Sequence, residues 1–171
     1  KNKKWIVQTG FINLKKIIWI ASYPKSGNTY VRAFLAHYLF SKNLVLDFSL
    51  LKKIPKFEKK ETFTKILNKE LLIDDLNLIK YSLKVQKKLI QKFDQKNLIF
   101  KTHHFFGTFN EHTFTDTNNT LLFIYLIRDP REVLISIANH NNVSIEEQIK
   151  QFVSNNLLTK VEIETVVNWG L

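Results

Sequence analysis

The chain has 171 residues, 44% of them hydrophobic, enough for one domain with a sizeable core. It contains no cysteine, which excludes disulfide frameworks, thiolate metal sites and cysteine nucleophiles. The net charge of +11, from 26 Lys and Arg against 15 Asp and Glu, suits a polyanionic ligand but equally describes a lysine-rich solvated surface.

No apolar run approaches the roughly 18 residues of a membrane span. The Lys1-Asn2-Lys3-Lys4 start leads into no signal-peptide pattern, so the expectation is a cytoplasmic location. The absence of methionine and the abrupt stop at Asn168-Trp169-Gly170-Leu171 lead us to expect a piece of a longer chain. Residues 1–171 carry no repeat and no linker composition, so they read as a single domain.

The first predicted strand is the apolar run Ile17-Ile18-Trp19-Ile20-Ala21. It stops at Ser22-Tyr23-Pro24-Lys25-Ser26-Gly27-Asn28-Thr29-Tyr30, where proline and glycine force a tight loop. Val31, Phe34, Leu35, Tyr38 and Leu39 then recur at helical spacing, which predicts one apolar face of a helix. A strand passing through such a loop into a helix presents backbone N–H groups, a lysine and hydroxyls to one point, a ready anion site.

Residues 42–95 are lysine-rich and helix-prone, most clearly from Asp74 to Phe93, with Leu76, Ile79, Leu83, Ile90 and Phe93 near one face. A second strand is predicted at Leu98-Ile99-Phe100-Lys101-Thr102, ending on His103-His104. Phe105 to Thr120 reads as an irregular polar and aromatic stretch. A third strand, Leu121 to Ile127, is continuously apolar and is expected to be buried on both faces.

That strand stops at Arg128, and Asp129, Pro130 and Glu132 then form an N-terminal capping signature with proline at the first helical position. Ser144 with Glu147 opens another helix, carrying Ile149, Phe152 and Val153.

Buried strands alternating with helices predict a three-layer α/β/α domain with a mostly parallel central sheet. Such sheets bind ligands beyond the carboxyl ends of their strands. Lys25, His103 and Arg128 each fall just past a strand end, so they are expected to share one rim.

The loop is not the nucleoside-triphosphate version of a P-loop, because Lys25 precedes Ser26-Gly27 instead of following the second glycine. No acidic strand end offers itself to magnesium, so no metal is expected. Tyr23-Pro24-Lys25-Ser26-Gly27-Asn28-Thr29 closely resembles the phosphosulfate-binding loop of the cytosolic-type sulfotransferases. Lys101-Thr102-His103 is similar to that family's Lys-Thr-His, and Arg128 with Ser136 has the spacing of its arginine–serine pair.

The resemblance implies the sulfotransferase fold and 3′-phosphoadenylyl sulfate as sulfuryl donor. It implies His103 as catalytic base, Lys25 at the leaving phosphate oxygen and Lys101 near the transferring group. Ser26, Gly27, Asn28 and Thr29 are implied to hold the 5′-phosphosulfate, Tyr30 to stack near the nucleotide, and Arg128 and Ser136 to hold the 3′-phosphate. Tyr30 stands where the family usually has tryptophan, and the family's distal glycine-rich basic segment has no counterpart in this sequence.

A hydroxyl or amine acceptor on a small molecule, glycan or lipid is implied, with no nucleic acid. Two other readings stand beside this one: a small-metabolite kinase with a degenerate loop, and a non-catalytic nucleotide- or polyanion-binding module. His104 competes with His103 for the role of base, and adjacent strand residues point to opposite faces. His37, His112 and His140 are expected in surface or packing roles. Phe105, Phe106 and Phe109 read equally as acceptor-pocket or core residues.

Overall fold

The computed structural model describes residues 15–41, 47–70, 75–94, 97–109, 111–153, 159–161 and 164–166. Its centre is the strand β1, Lys16–Ser22, with five of its seven residues wholly buried. It pairs in parallel with β2, Asn97–Thr102, on one side and β5, Thr120–Leu126, on the other, giving the order β2-β1-β5. Parallel neighbours require crossovers, and the chain between β1 and β2 supplies one made of helices.

The helix α1, Asn28–Phe40, follows β1 directly. A 3₁₀ turn, Phe48–Lys53, leads to α2, Lys60–Leu67, and α3, Asp75–Lys92, before the chain re-enters the sheet at β2. After β5 come α4, Pro130–Asn141, and α5, Ile145–Val153. Within the stretch expected to be irregular lies a short antiparallel pair, β3 Thr108–Phe109 and β4 His112–Thr113. Another small antiparallel pair joins β6, Thr159–Val161, to β7, Glu164–Val166. Among the described residues no helix is long and apolar enough to cross a membrane.

Side chains alternate across a strand, and the sheet accordingly packs two cores. Ile17, Trp19, Leu98 and Phe100 face α2 and α3, meeting Phe63, Leu78, Val85 and Leu89. Ile20 faces the other way, onto Ala36, Val31 and Leu35 of α1 and onto Ile54 and Leu50. The domain is thus α/β, with helices on both faces of a parallel three-stranded sheet.

Three expectations about faces are corrected here. The strand β5 is not buried on both faces: Leu121 and Leu122 are each about half exposed, because β5 is an edge of the described sheet. On α1 the buried residues are Asn28 and Ala36, whereas Phe34 and Tyr38 stack on each other in the open. Small Ala36 lets the helix approach β1 closely, so the helix turns its bulky aromatics outward.

On α3 the inward stripe is Leu78, Ile79, Ser82, Val85, Gln86 and Leu89, while Phe93 is exposed. Its two polar members are satisfied internally. Ser82 Oγ donates to the Leu78 carbonyl at 3.1 Å, and Gln86 donates to the Phe114 carbonyl at 2.6 Å. The Leu76 side chain lies outside the described residues.

Candidate active site

The loop after β1 is a turn closed by the Ser26 N–H donating to the Tyr23 carbonyl at 3.2 Å. Pro24 supplies the second position of that turn, and Lys25 occupies the third with φ of 64°. A type II turn needs a positive φ there, normally met by glycine. Gly27 then takes φ of 93° as the N-cap of α1. No acidic residue stands in the first turn of α1, so its leading N–H groups and positive dipole end are uncompensated.

This loop forms one side of a cavity of about 360 Å³. Pro24, Lys25 and Gly27 line it from the loop, and Asn28 and Thr29 from the helix start. Lys101 and His103 enter from the end of β2, while Ile137, His140 and Asn141 close it from α4. Its lining carries lysine and histidine and no carboxylate, which gives it a cationic character.

His103 is half-buried, with Nδ1 lying 2.7 Å from the Ser22 carbonyl oxygen. A carbonyl only accepts, so Nδ1 carries the hydrogen, and in the neutral ring Nε2 carries the lone pair. Ser22 Oγ lies at the longer distance of 3.4 Å from the same nitrogen. Asn28, only 5% exposed, ties the strand end together by donating to the Ile20 carbonyl at 3.0 Å and to Ser22 Oγ at 3.1 Å.

His104 goes the other way. It is buried and stacks on Phe114 with ring centroids 4.8 Å apart. Burial lowers its pKa from the usual 6.5; the Glu58 charge opposes that shift, and His103 and Lys56 add to it. A histidine held neutral in the fold binds fewer protons than its unfolded form below pH 6.5, so stability should fall as pH drops through that point. A His104→Phe variant should show a flatter loss of stability between pH 6.5 and 5 in urea titrations. An equally steep loss would assign the acid sensitivity elsewhere.

Arg128, past the end of β5, reaches the loop: Nη1 donates to the Lys25 carbonyl at 3.1 Å. Its Nη2 lies 3.2 Å from Glu132, one turn into α4. The start of α4 is capped by Asp129, which accepts from the Arg131 N–H at 2.9 Å, with Pro130 at the first helical position. Glu132 pairs with Arg128 at i, i+4 spacing. Arg131 holds Asp129 at 2.6 Å and lowers its carboxyl pKa to about 2.

The structure therefore brings Lys25, Gly27, Asn28, Thr29, Lys101 and His103 into one cavity. Ser26, Tyr30, Arg128 and Ser136 stand outside its lining, and Tyr30 is largely exposed on α1. His140 is exposed on α4, in keeping with the surface role expected of it, and it also lines the cavity beside Asn141. The signal was available, because His140 and Asn141 lie three and four residues after Ile137, on the face that α4 turns toward the loop. Phe106 packs edge-on against Phe123, and the described lining of the cavity includes none of Phe105, Phe106 and Phe109. Among the described residues no group of three or more His, Cys, Asp or Glu side chains is placed to hold a metal ion.

A parallel sheet whose central strand feeds a positive-φ loop and a helix start free of acidic residues thus gathers two lysines and a histidine around one cavity of an α/β domain. Residues 15–169 match the family model described as "Sulfotransferase domain", and the chain belongs to that family. Comparison with curated proteins and with solved structures finds no significant match. Membership makes sulfuryl transfer the general chemistry of this fold.

Proposed function

We propose that the chain transfers the sulfuryl group of 3′-phosphoadenylyl sulfate to a hydroxyl or amine acceptor, with His103 as base. The observation that carries this reading is the meeting of Lys25, Lys101 and His103 with the start of α1 in one carboxylate-free cavity. The donor, when bound, supplies an activated sulfuryl group on a phosphate leaving group. Its anionic character fits the uncompensated helix start and the two lysines.

His103 takes the acceptor proton at Nε2, the nitrogen that its Ser22 hydrogen bond leaves with the lone pair. Lys25 neutralises the charge that develops on the departing oxygen, and the N–H groups from Gly27 to Thr29 grip the phosphosulfate oxygens, the Ser26 N–H being committed to the Tyr23 carbonyl. Lys101 neutralises charge on the transferring group. Arg128 and Ser136 hold the 3′-phosphate, and Tyr30 stacks near the nucleotide. The same reading carries a cytoplasmic location and a small-molecule, glycan or lipid acceptor, with no metal and no nucleic acid required.

Calorimetric titration with 3′-phosphoadenosine 5′-phosphate, with ATP alongside, tests the binding half of this proposal. The wild type should bind the desulfated donor selectively, and Lys25→Ala and Arg128→Ala should each weaken it at least about tenfold, the loss of one charge-assisted contact. Preference for ATP, or affinity indifferent to both substitutions, would overturn the assignment.

A further inference from the structure

Glu58 is a buried carboxylate to which the chemistry above gives no role. It is only 7% exposed. Its Oε1 accepts a hydrogen bond from Thr102 Oγ1, and its Oε2 is buried with no hydrogen-bond partner among the described residues. A carboxylate buried with one oxygen unsatisfied is costly, so its place in the structure calls for a reason.

The reason lies at the exit of β2. Thr102 Oγ1, while donating to Glu58, accepts from the His104 N–H at 2.9 Å. With the hydroxyl hydrogen committed to the carboxylate, its lone pairs are the part turned to that amide. The turn so fixed sends His104 onto Phe114 and His103 onto the Ser22 carbonyl.

Glu58 is itself held rigidly. The segment before it runs along the outer edge of β2, with Lys101 N–H donating to the Pro55 carbonyl at 2.9 Å and Phe57 N–H to the Lys101 carbonyl at 3.0 Å. Phe57 is buried in the core, and Arg32 of α1 donates to the Ile54 carbonyl at 2.7 and 3.0 Å. The carboxylate is thus anchored to α1, to the core and to the strand whose end it controls.

We propose that Glu58 is a positioning residue, acting through Thr102 on the exit of β2 so that His103 is aimed into the cavity in its Nδ1–H form. The inference rests on His103 being the base proposed above, but its first readout does not depend on any reaction.

Long-range ¹H–¹⁵N spectra of histidine-labelled protein report which ring nitrogen of His103 carries hydrogen. The wild type should show the Nδ1–H form. Glu58→Ala and Thr102→Val should each shift His103 toward a mixture of tautomers, whereas Glu58→Gln, which keeps a carbonyl acceptor for the Thr102 hydroxyl, should preserve the wild-type pattern. In sulfuryl-transfer assays Glu58→Ala should lower kcat about ten- to a hundredfold with KM within about twofold, the mark of a misaimed group. If Glu58→Ala does not fold, Thr102→Val carries the same test.

An unchanged His103 tautomer in a folded Glu58→Ala or Thr102→Val protein would overturn the proposal. So would equal kcat loss in Glu58→Ala and Glu58→Gln. A tautomer shift in a protein whose wild type transfers no sulfuryl group would sustain the positioning role and reject the reaction.

Discussion

Sulfuryl transfer by a His103→Gln variant should fall about 10²- to 10⁴-fold in kcat, the usual contribution of a positioned general base. Affinity for 3′-phosphoadenosine 5′-phosphate should stay within about threefold, because the substitution removes a proton acceptor and no anion contact. Single-turnover kinetics beside calorimetry separate the two. His104→Gln at the neighbouring position gives the contrast, since that ring is buried against Phe114 and does not line the cavity. Its effect should fall on stability more than on the chemical step. If His104 variants lost kcat with unaltered stability and His103 variants did not, the assignment of the base would be reversed.

The largest effect on stability is expected at Trp19, in the middle of the central strand. It is fully buried, meeting Phe57 and Phe114 with ring centroids at 5.0 Å and Phe100 at 6.0 Å. Its Nε1–H donates to Thr120 Oγ1 at 3.1 Å, so the ring also binds β5 to β1. Trp19→Ala should cost about 3–5 kcal/mol, from lost burial plus the cavity left behind. Against a typical total of roughly 5–15 kcal/mol that is a large share, and at the low end of the range it removes nearly all the stability. Urea unfolding followed by circular dichroism measures it, and a loss below about 1 kcal/mol would mean that the aromatic cluster repacks around the gap.

Elements that punctuate themselves were legible in the sequence. The run Ile17 to Ala21 ending on Pro24 and Gly27, and the Asp129-Pro130 start of α4, announce their boundaries through residues with few other uses. The parallel sheet followed from the alternation of such segments. The meeting of Lys25 with His103 followed in turn from the rule that parallel strands end on one rim; Arg128, expected on the same rim, reaches the Lys25 carbonyl but stands outside the cavity lining.

What the sequence hid was orientation. On α3, Ser82 and Gln86 look like solvent residues, yet Ser82 is satisfied within its own helix at the Leu78 carbonyl and Gln86 across the fold at the Phe114 carbonyl. On α1, period alone favours the aromatic face, whereas close packing against β1 selects the side with Ala36. The exposure of β5 depends on its place in the strand order, which hydropathy does not contain. Glu58 was illegible for a related reason: nothing local to Phe57-Glu58-Lys59 says that a strand 44 positions later will offer it a hydroxyl.

The hydrogen bond that sets the His103 ring ends on a main-chain oxygen of the adjacent strand. No side-chain replacement at Ser22 deletes that acceptor, so a scan of single substitutions would pass over it in silence. The protonation pattern of the imidazole is encoded in how β1 and β2 lie alongside each other, with Ala21 opposite Thr102 at the last paired position. Any change that slides one strand against the other, however far from the cavity, would be felt as a change in which ring nitrogen faces it.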